Sequence, residues 1–224
     1  FKAAEITGGA VQSARRSRPL TLSYTGRAET DSSVWGYNAD LAFNLASGDG
    51  NNLTAYQSED ARISTSGWRA LRASGNYLTS FGGGWLWSVR GQLQYSPDAL
   101  ISGEQFGLGG ASSVRGTGER PISGDIGLLA STEISTRELA PGLRVLGFVD
   151  AGWLSNNNPN GNPKPANDSL ASVGLGLRYA SPAGFSLSAE YGRIVSGSTL
   201  PFVSGSGVPQ SGDQKLHVNF SARF

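Results

Sequence analysis

Residues 85–95, WLWSVRGQLQY, put Trp85, Trp87, Val89, Leu93 and Tyr95 on one side of an extended chain and Ser88, Arg90, Gln92 and Gln94 on the other. Side chains of a strand leave it on opposite faces with a period of two, so this alternation predicts a strand with one apolar and one polar face. The same pattern recurs in both directions. Upstream, Leu20, Leu22 and Tyr24 alternate with Thr21, Ser23 and Thr25; Trp35, Tyr37, Ala39, Leu41 and Phe43 with Gly36, Asn38, Asp40 and Asn44; and Leu71, Ala73 and Tyr77 with Arg72, Ser74 and Asn76. Downstream, Ile126, Leu128, Ala130, Thr132 and Ile134 oppose Ser131 and Glu133, and Val145, Val149, Ala151 and Trp153 oppose Phe148 and Asp150. Three more runs follow, with Val173, Leu175 and Leu177 against Gly174 and Arg178, Phe185, Leu187 and Tyr191 against Ser188 and Glu190, and Leu216, Val218, Phe220 and Phe224 against Lys215, His217 and Asn219. About nine strands are predicted, most of roughly nine to eleven residues, the length that crosses a bilayer when tilted.

A soluble β-sandwich alternates in the same way. Charges in the middle of strands (Arg90, Glu133, Asp150, Arg178, Glu190) shift the balance modestly towards a wet barrel lumen, and the connections shift it further. Counted back from the C-terminus, they run long (195–214), short (181–184), long (155–168), short (136–142), long (96–125), short (79–84), long (46–67) and short (30–33). Strict alternation is the pattern of outer-membrane barrels, with short turns in the periplasm and long loops outside, and it puts the C-terminus on the periplasmic side. Trp35, Trp85, Trp153, Tyr95 and Tyr179 fall near strand ends, where aromatic girdles belong. The predicted fold class is therefore all-β, an antiparallel transmembrane β-barrel of the bacterial outer membrane.

With about nine antiparallel strands the first and last run the same way, which closes no ordinary barrel, and open edges in lipid leave backbone groups unpaired. Further strands are therefore expected upstream of Phe1, which is not an initiator methionine. Residues 1–17, small and polar with Arg15 and Arg16 at their end, read as a loop or the remnant of an upstream strand, and residues 18–224 as the barrel portion.

Composition removes several functions. The 224 residues contain no cysteine, so there is no disulfide scaffold, thiolate zinc site or cysteine nucleophile. One histidine and a net charge of +1 leave little for metal ligation and no basic field for nucleic acid. No metal, cofactor or nucleic-acid partner is expected, and no nucleophile–base pair points to an enzyme.

The longest stretch without a strand pattern is residues 103–125, GEQFGLGGASSVRGTGERPISGD. It is rich in glycine, but it lacks the Lys-Ser/Thr ending of a phosphate loop and precedes a strand. Glu104 and Glu119 in it read as solvated, His217 as a spectator, and residues 156–168 as a mobile surface loop.

Taken together, Gln94-Tyr95-Ser96-Pro97, Gln105-Phe106-Gly107-Leu108-Gly109-Gly110, Val114-Arg115-Gly116 and Ser123-Gly124-Asp125-Ile126-Gly127 resemble the outer-membrane transporters of two-partner secretion, the haemolysin/haemagglutinin secretion-activation family. Phe148-Val149-Asp150-Ala151-Gly152 resembles the strand motif F-x-D-x-G of the same superfamily. The resemblance implies the C-terminal part of a sixteen-stranded barrel preceded by POTRA domains, with residues 103–125 folded into the lumen. It implies that Arg115, at the tip Val114-Arg115-Gly116, reaches the barrel wall and pairs with Asp150, with Glu133 as a second acceptor, and that Phe148 and Gly152 belong to the docking strand. Thr117 departs from the aromatic usual after that tip, which weakens the packing expected there. Val218, Phe220 and Phe224 resemble the terminal signal read by the outer-membrane assembly machinery. The implied function is secretion of an unfolded, β-rich exoprotein, with membrane lipid and lipopolysaccharide outside the barrel; a barrel-insertion factor and a passive porin are the alternatives.

Overall fold

A computed structural model describes residues 6–7, 10–11, 15–161, 164–201 and 207–223. The strands in chain order are β1 (Ile6–Thr7), β2 (Ala10–Val11), β3 (Pro19–Glu29), β4 (Ser33–Asn44), β5 (Arg69–Phe81), β6 (Trp85–Tyr95), β7 (Phe106–Leu108), β8 (Ile122–Gly124), β9 (Ile126–Ser135), β10 (Leu143–Ser155), β11 (Asn167–Ala180), β12 (Phe185–Ser196) and β13 (Gln214–Ala222). One five-residue helix, α1 (Leu53–Gln57), is capped by the Asn52 side chain, which accepts from the Ala55 amide.

Nine strands form one antiparallel sheet in the order β13-β12-β11-β10-β9-β6-β5-β4-β3. Neighbours in space are neighbours in the chain except where the segment holding β7 and β8 intervenes between β6 and β9. The sheet is rolled: a hollow of about 780 Å³ is lined at once by Asn76 and Arg90 from β5 and β6 and by His217 and Asn219 from β13. β3 and β13 are its edges, and no pairing closes them on each other among the described residues.

The alternation read from the sequence sorts the two faces. Leu20, Leu22, Tyr24, Leu128, Leu175, Leu216, Val218 and Phe220 are exposed on the convex face, Leu175 at 68% and Phe220 at 65%. In water such a surface is a severe liability, whereas in a bilayer it is the solvated state. Aromatic rings gather where short turns end the strands: Trp35 lies 6.3 Å from Tyr77, Tyr77 5.9 Å from Trp87, and Phe185 5.7 Å from Tyr179 and 6.4 Å from Phe220.

Two local readings need correction, those of residues 103–125 and of the loop that begins at residue 156. Residues 103–125 are not free of strand, since β7 and β8 pair within them through Phe106↔Gly124, Gly107↔Ser123 and Leu108↔Ile122. Their glycines had hidden this, as a three-residue ribbon carries no periodic signal. The loop over 46–67 holds α1 and contributes Tyr56 and Ile63 to an apolar cap that they form with Trp68, Leu100 and Ile101 over Ala42 and Ala70 of the wall. The stretch read as a mobile loop from residue 156 is tied down at its start, for Asn157 donates through its side chain to the Ser96 and Asp98 carbonyls at 2.9 and 3.0 Å. Within 1–17, β1 and β2 pair as a short ribbon.

Candidate functional site

The segment 103–125 leaves β6 at the long-loop end and turns back onto the concave face. Leu108, Val114 and Ile122 pack against Leu129, Leu154, Leu170 and Ile194, which point inward from β9, β10, β11 and β12. Burying apolar area on both sides anchors the base of the segment. Its interior is held by its own polar groups: the Gly109 amide donates to Ser113 Oγ, the Gly110 amide to Thr117 Oγ1 and the Ala111 amide to Glu119 Oε1 at 2.9 Å. Thr117 thus replaces the expected aromatic packing with a hydrogen bond, and Glu119, exposed as expected, also holds the Ala111 amide. Glu104 is likewise engaged, accepting from Arg72 at 2.8 Å and from Ser17 at 2.5 Å.

Strand register explains the seat of the tip. On the concave face one row across the sheet reads Glu133, Phe148, Gly174, Gly192, Lys215, because Phe148 pairs with both Glu133 and Gly174, Gly174 with Gly192, and Gly192 with Lys215. The row nearer the long loops holds Ser131, Asp150, Ser172 and Ile194, and the row nearer the short turns holds Ser135, Leu146, Gly176, Glu190 and His217. Three carboxylates therefore surround a patch floored by an aromatic ring and two glycines.

Arg115 fills that patch and is 1% exposed. Its Nε and Nη2 donate to the two oxygens of Asp150, each at 2.8 Å, and its backbone amide donates to Asp150 Oδ2 at 3.1 Å. Nη1 reaches Glu133 at 3.1 Å and Glu190 at 2.9 Å. The guanidinium carbon lies 3.4 Å from the centroid of the Phe148 ring, the geometry of a cation–π contact. Burial alone favours the uncharged form of this side chain, but its bonds to Asp150 and Glu190 outweigh that and raise its pKa above the ordinary arginine value. Arg178 completes the cluster from the more open side, donating to Glu133 at 2.5 and 2.9 Å and to Glu190 at 2.6 Å.

Arg115, Asp150, Glu133 and Phe148 are thus brought together. Val114 and Gly116 flank the arginine, Val114 in the apolar base and Gly116 at φ +107°. Gly152 stands one row further, where a Cβ would strike the Leu108 side chain. Val218 and Phe220 lie apart from this cluster on the convex face, and Phe224 lies outside the described residues. Sequence reasoning missed Glu190 as the third acceptor, although its place on the polar face of its strand was the available signal. It also took His217 for a spectator, whereas His217 Nε2 accepts from the Gly116 amide at 3.4 Å.

A second polar knot sits at the root of the segment. Asp125, wholly buried, accepts from the Leu100 and Asn157 amides at 2.9 Å each, from Gln105 Nε2 at 3.0 Å and from Arg62 Nη1 at 3.2 Å. Three long loops converge on this one carboxylate.

A rolled antiparallel sheet with an apolar convex face and a loop bound inside it defines the class: an outer-membrane β-barrel. The model of the haemolysin secretion/activation protein family ShlB/FhaC/HecB matches residues 17–179. The chain belongs to that family, as its motifs suggested. The outer membrane transporter CdiB of Escherichia coli O6:K15:H31 (strain 536 / UPEC) is 39% identical over 72 residues, 30% of this chain and 12% of that protein. Among solved structures, CdiB from Escherichia coli superposes with a TM-score of 0.72 at 20% identity, over 95% of this chain and 38% of that one. CdiB from Acinetobacter baumannii gives 0.63 at 22% identity, over 89% and 32%, and BamA from Haemophilus ducreyi lacking POTRA domains 1–3 gives 0.56 at 15%, over 90% and 42%. The chain thus spans about a third of the solved transporters it matches, and these likenesses carry the barrel fold.

Proposed function

We propose that this chain forms the C-terminal wall of a transporter that passes an unfolded, β-rich exoprotein of the haemolysin or adhesin type through its lumen, with residues 103–125 as the gate. The observation that carries the reading is the buried docking of Arg115 on Asp150, Glu133 and Glu190, which joins a loop tip to three strands of the wall. A porin needs no buried arginine to hold a constriction loop across its channel, whereas a conduit that opens for a polypeptide needs a plug with a defined docked state. The work is conduction rather than catalysis and uses no nucleotide. Lipid and lipopolysaccharide cover the convex face, and the sequence signal Val218, Phe220 and Phe224 is read by the assembly machinery.

The test is Arg115→Ala in the full-length transporter beside its exoprotein. Secretion should be lost while the barrel still inserts and resists heat like the parent. Normal secretion by that variant sinks the reading.

A further inference from the structure

The two glycines in the middle row of the seat do different jobs. A strand interior gains nothing from glycine, which lacks a side chain to pack and weakens the strand unless something must approach closely. At Gly174 the Phe148 ring occupies the space a Cβ would take. At Gly192 the occupant is the backbone of the loop tip itself: a Cβ there would lie 2.7 Å from both Arg115 C and the Gly116 nitrogen and 2.8 Å from Arg115 O. From the other side, a Cβ on Gly116 would lie 3.1 Å from the Gly192 carbonyl. The tip peptide therefore rests on the wall main chain with no side chain between them.

We propose that Gly192 is a positioning residue that sets the depth at which the tip docks, and through it the geometry of Arg115. Ordinary carbon contacts begin at roughly 3.5 Å, so a methyl at Gly192 must lift the tip by roughly 1 Å. Neither surface can rotate away, because both are backbone. A lift of that size takes the Arg115 amide and Nε off Asp150, where they sit at 3.1 and 2.8 Å. The wall itself is spared, since Gly192 keeps its place between Gly174 and Lys215 and alanine suits a strand better than glycine. The inference rests on the reading of residues 103–125 as a gate only for its consequence in transport, not for the docking.

The experiment uses the full-length transporter with a spin label at Ser112→Cys, an exposed position beside the tip. Gly192→Ala should raise the mobile fraction of the label at least about tenfold, since loss of even one of these two charge-assisted hydrogen bonds acts on that scale. Gly91→Ala, whose Cβ meets nothing nearer than 3.6 Å, should leave the spectrum unchanged. In an Arg115→Ala background, Gly192→Ala should add nothing further, which separates tip positioning from general distortion of the strand. If Gly192→Ala does not assemble in cells, the protein is refolded from urea into detergent micelles and the label read there; a sheet that fails to fold in micelles too overturns the claim that the wall is spared. An immobile label, or an additive effect in the Arg115→Ala background, overturns the proposal. A mobilised label with unchanged channel conductance upholds the seat and overturns the gate.

Discussion

Arg115 and Asp150 share three hydrogen bonds, two from the guanidinium fork and one from the arginine's own amide, all onto one carboxylate with no exposure. The pairing is between a loop tip and a strand 35 residues away in the chain. It fixes backbone and side chain of the tip together, so the orientation of the loop follows from the position of one wall residue.

That geometry predicts that Arg115→Lys behaves like Arg115→Ala. An ammonium is a single point donor and cannot serve Asp150 twice while also reaching Glu133 and Glu190. Glu133 and Glu190 keep Arg178, but the wholly buried Asp150 is left short of donors, and undocking should be favoured by about 3–5 kcal/mol, the usual cost of breaking a buried pair. Exoprotein secretion and tip mobility in the full-length transporter check this, and secretion retained with lysine would show that charge alone suffices.

How much of this was readable in advance depended on whether the cause was local. Period-two alternation made every wall strand visible, because each side chain reports its face through its immediate neighbours. The tip contact was reached through motif residues, with Asp150 and Glu133 on polar faces of adjacent strands. Leu129, Leu154, Leu170 and Ile194 were not assigned a role, because inward leucines acquire one only when a loop from elsewhere in the chain covers them. Gly192 gave no signal either, since a small residue on a lumenal face looks the same whether it meets water or a backbone. The glycine-rich spacing of residues 103–125 likewise hid β7 and β8, whose register is set by tertiary packing rather than by alternation.

The knot at Asp125 should hold the root of residues 103–125 independently of the tip. Asp125→Ala leaves the Leu100 and Asn157 amides and the Gln105 side chain without their acceptor, and leaves Arg62 with Asp60 as its remaining carboxylate. Each buried donor so stranded costs about 1–3 kcal/mol. Loops 45–68 and 156–166 should then be cut faster by protease added to intact cells, while the heat-resistant barrel persists. Cleavage at the parental rate would mean that the apolar cap around Tyr56 and Trp68 holds these loops unaided.

At Thr117 the buried hydroxyl does the work that packing was expected to do. Thr117→Val keeps the shape and removes the acceptor of the Gly110 amide. The docked loop should lose about 1 kcal/mol, a modest effect, visible as a several-fold rise in tip mobility but not as a loss of secretion. Thr117→Ser should match the parent, and a valine variant indistinguishable from it would assign the residue to space filling.

The two faces of one strand neighbourhood give the sharpest test of the membrane reading itself. Leu175, in the middle of β11, is 68% exposed on the convex face, whereas Ser188, on the adjoining strand, lines the hollow beneath Arg115. Leu175→Arg places a charge against lipid and should cost about 2–4 kcal/mol if it lies near the bilayer midplane. Ser188→Arg meets water in the hollow, and although it stands opposite Arg178, that like-charge pair should cost about 1 kcal/mol or less, so the barrel should still assemble. Denaturant titration of barrels folded into vesicles measures both, and the prediction lies in their difference. Equal tolerance of the two arginines would mean that the convex face is not turned to lipid at that depth.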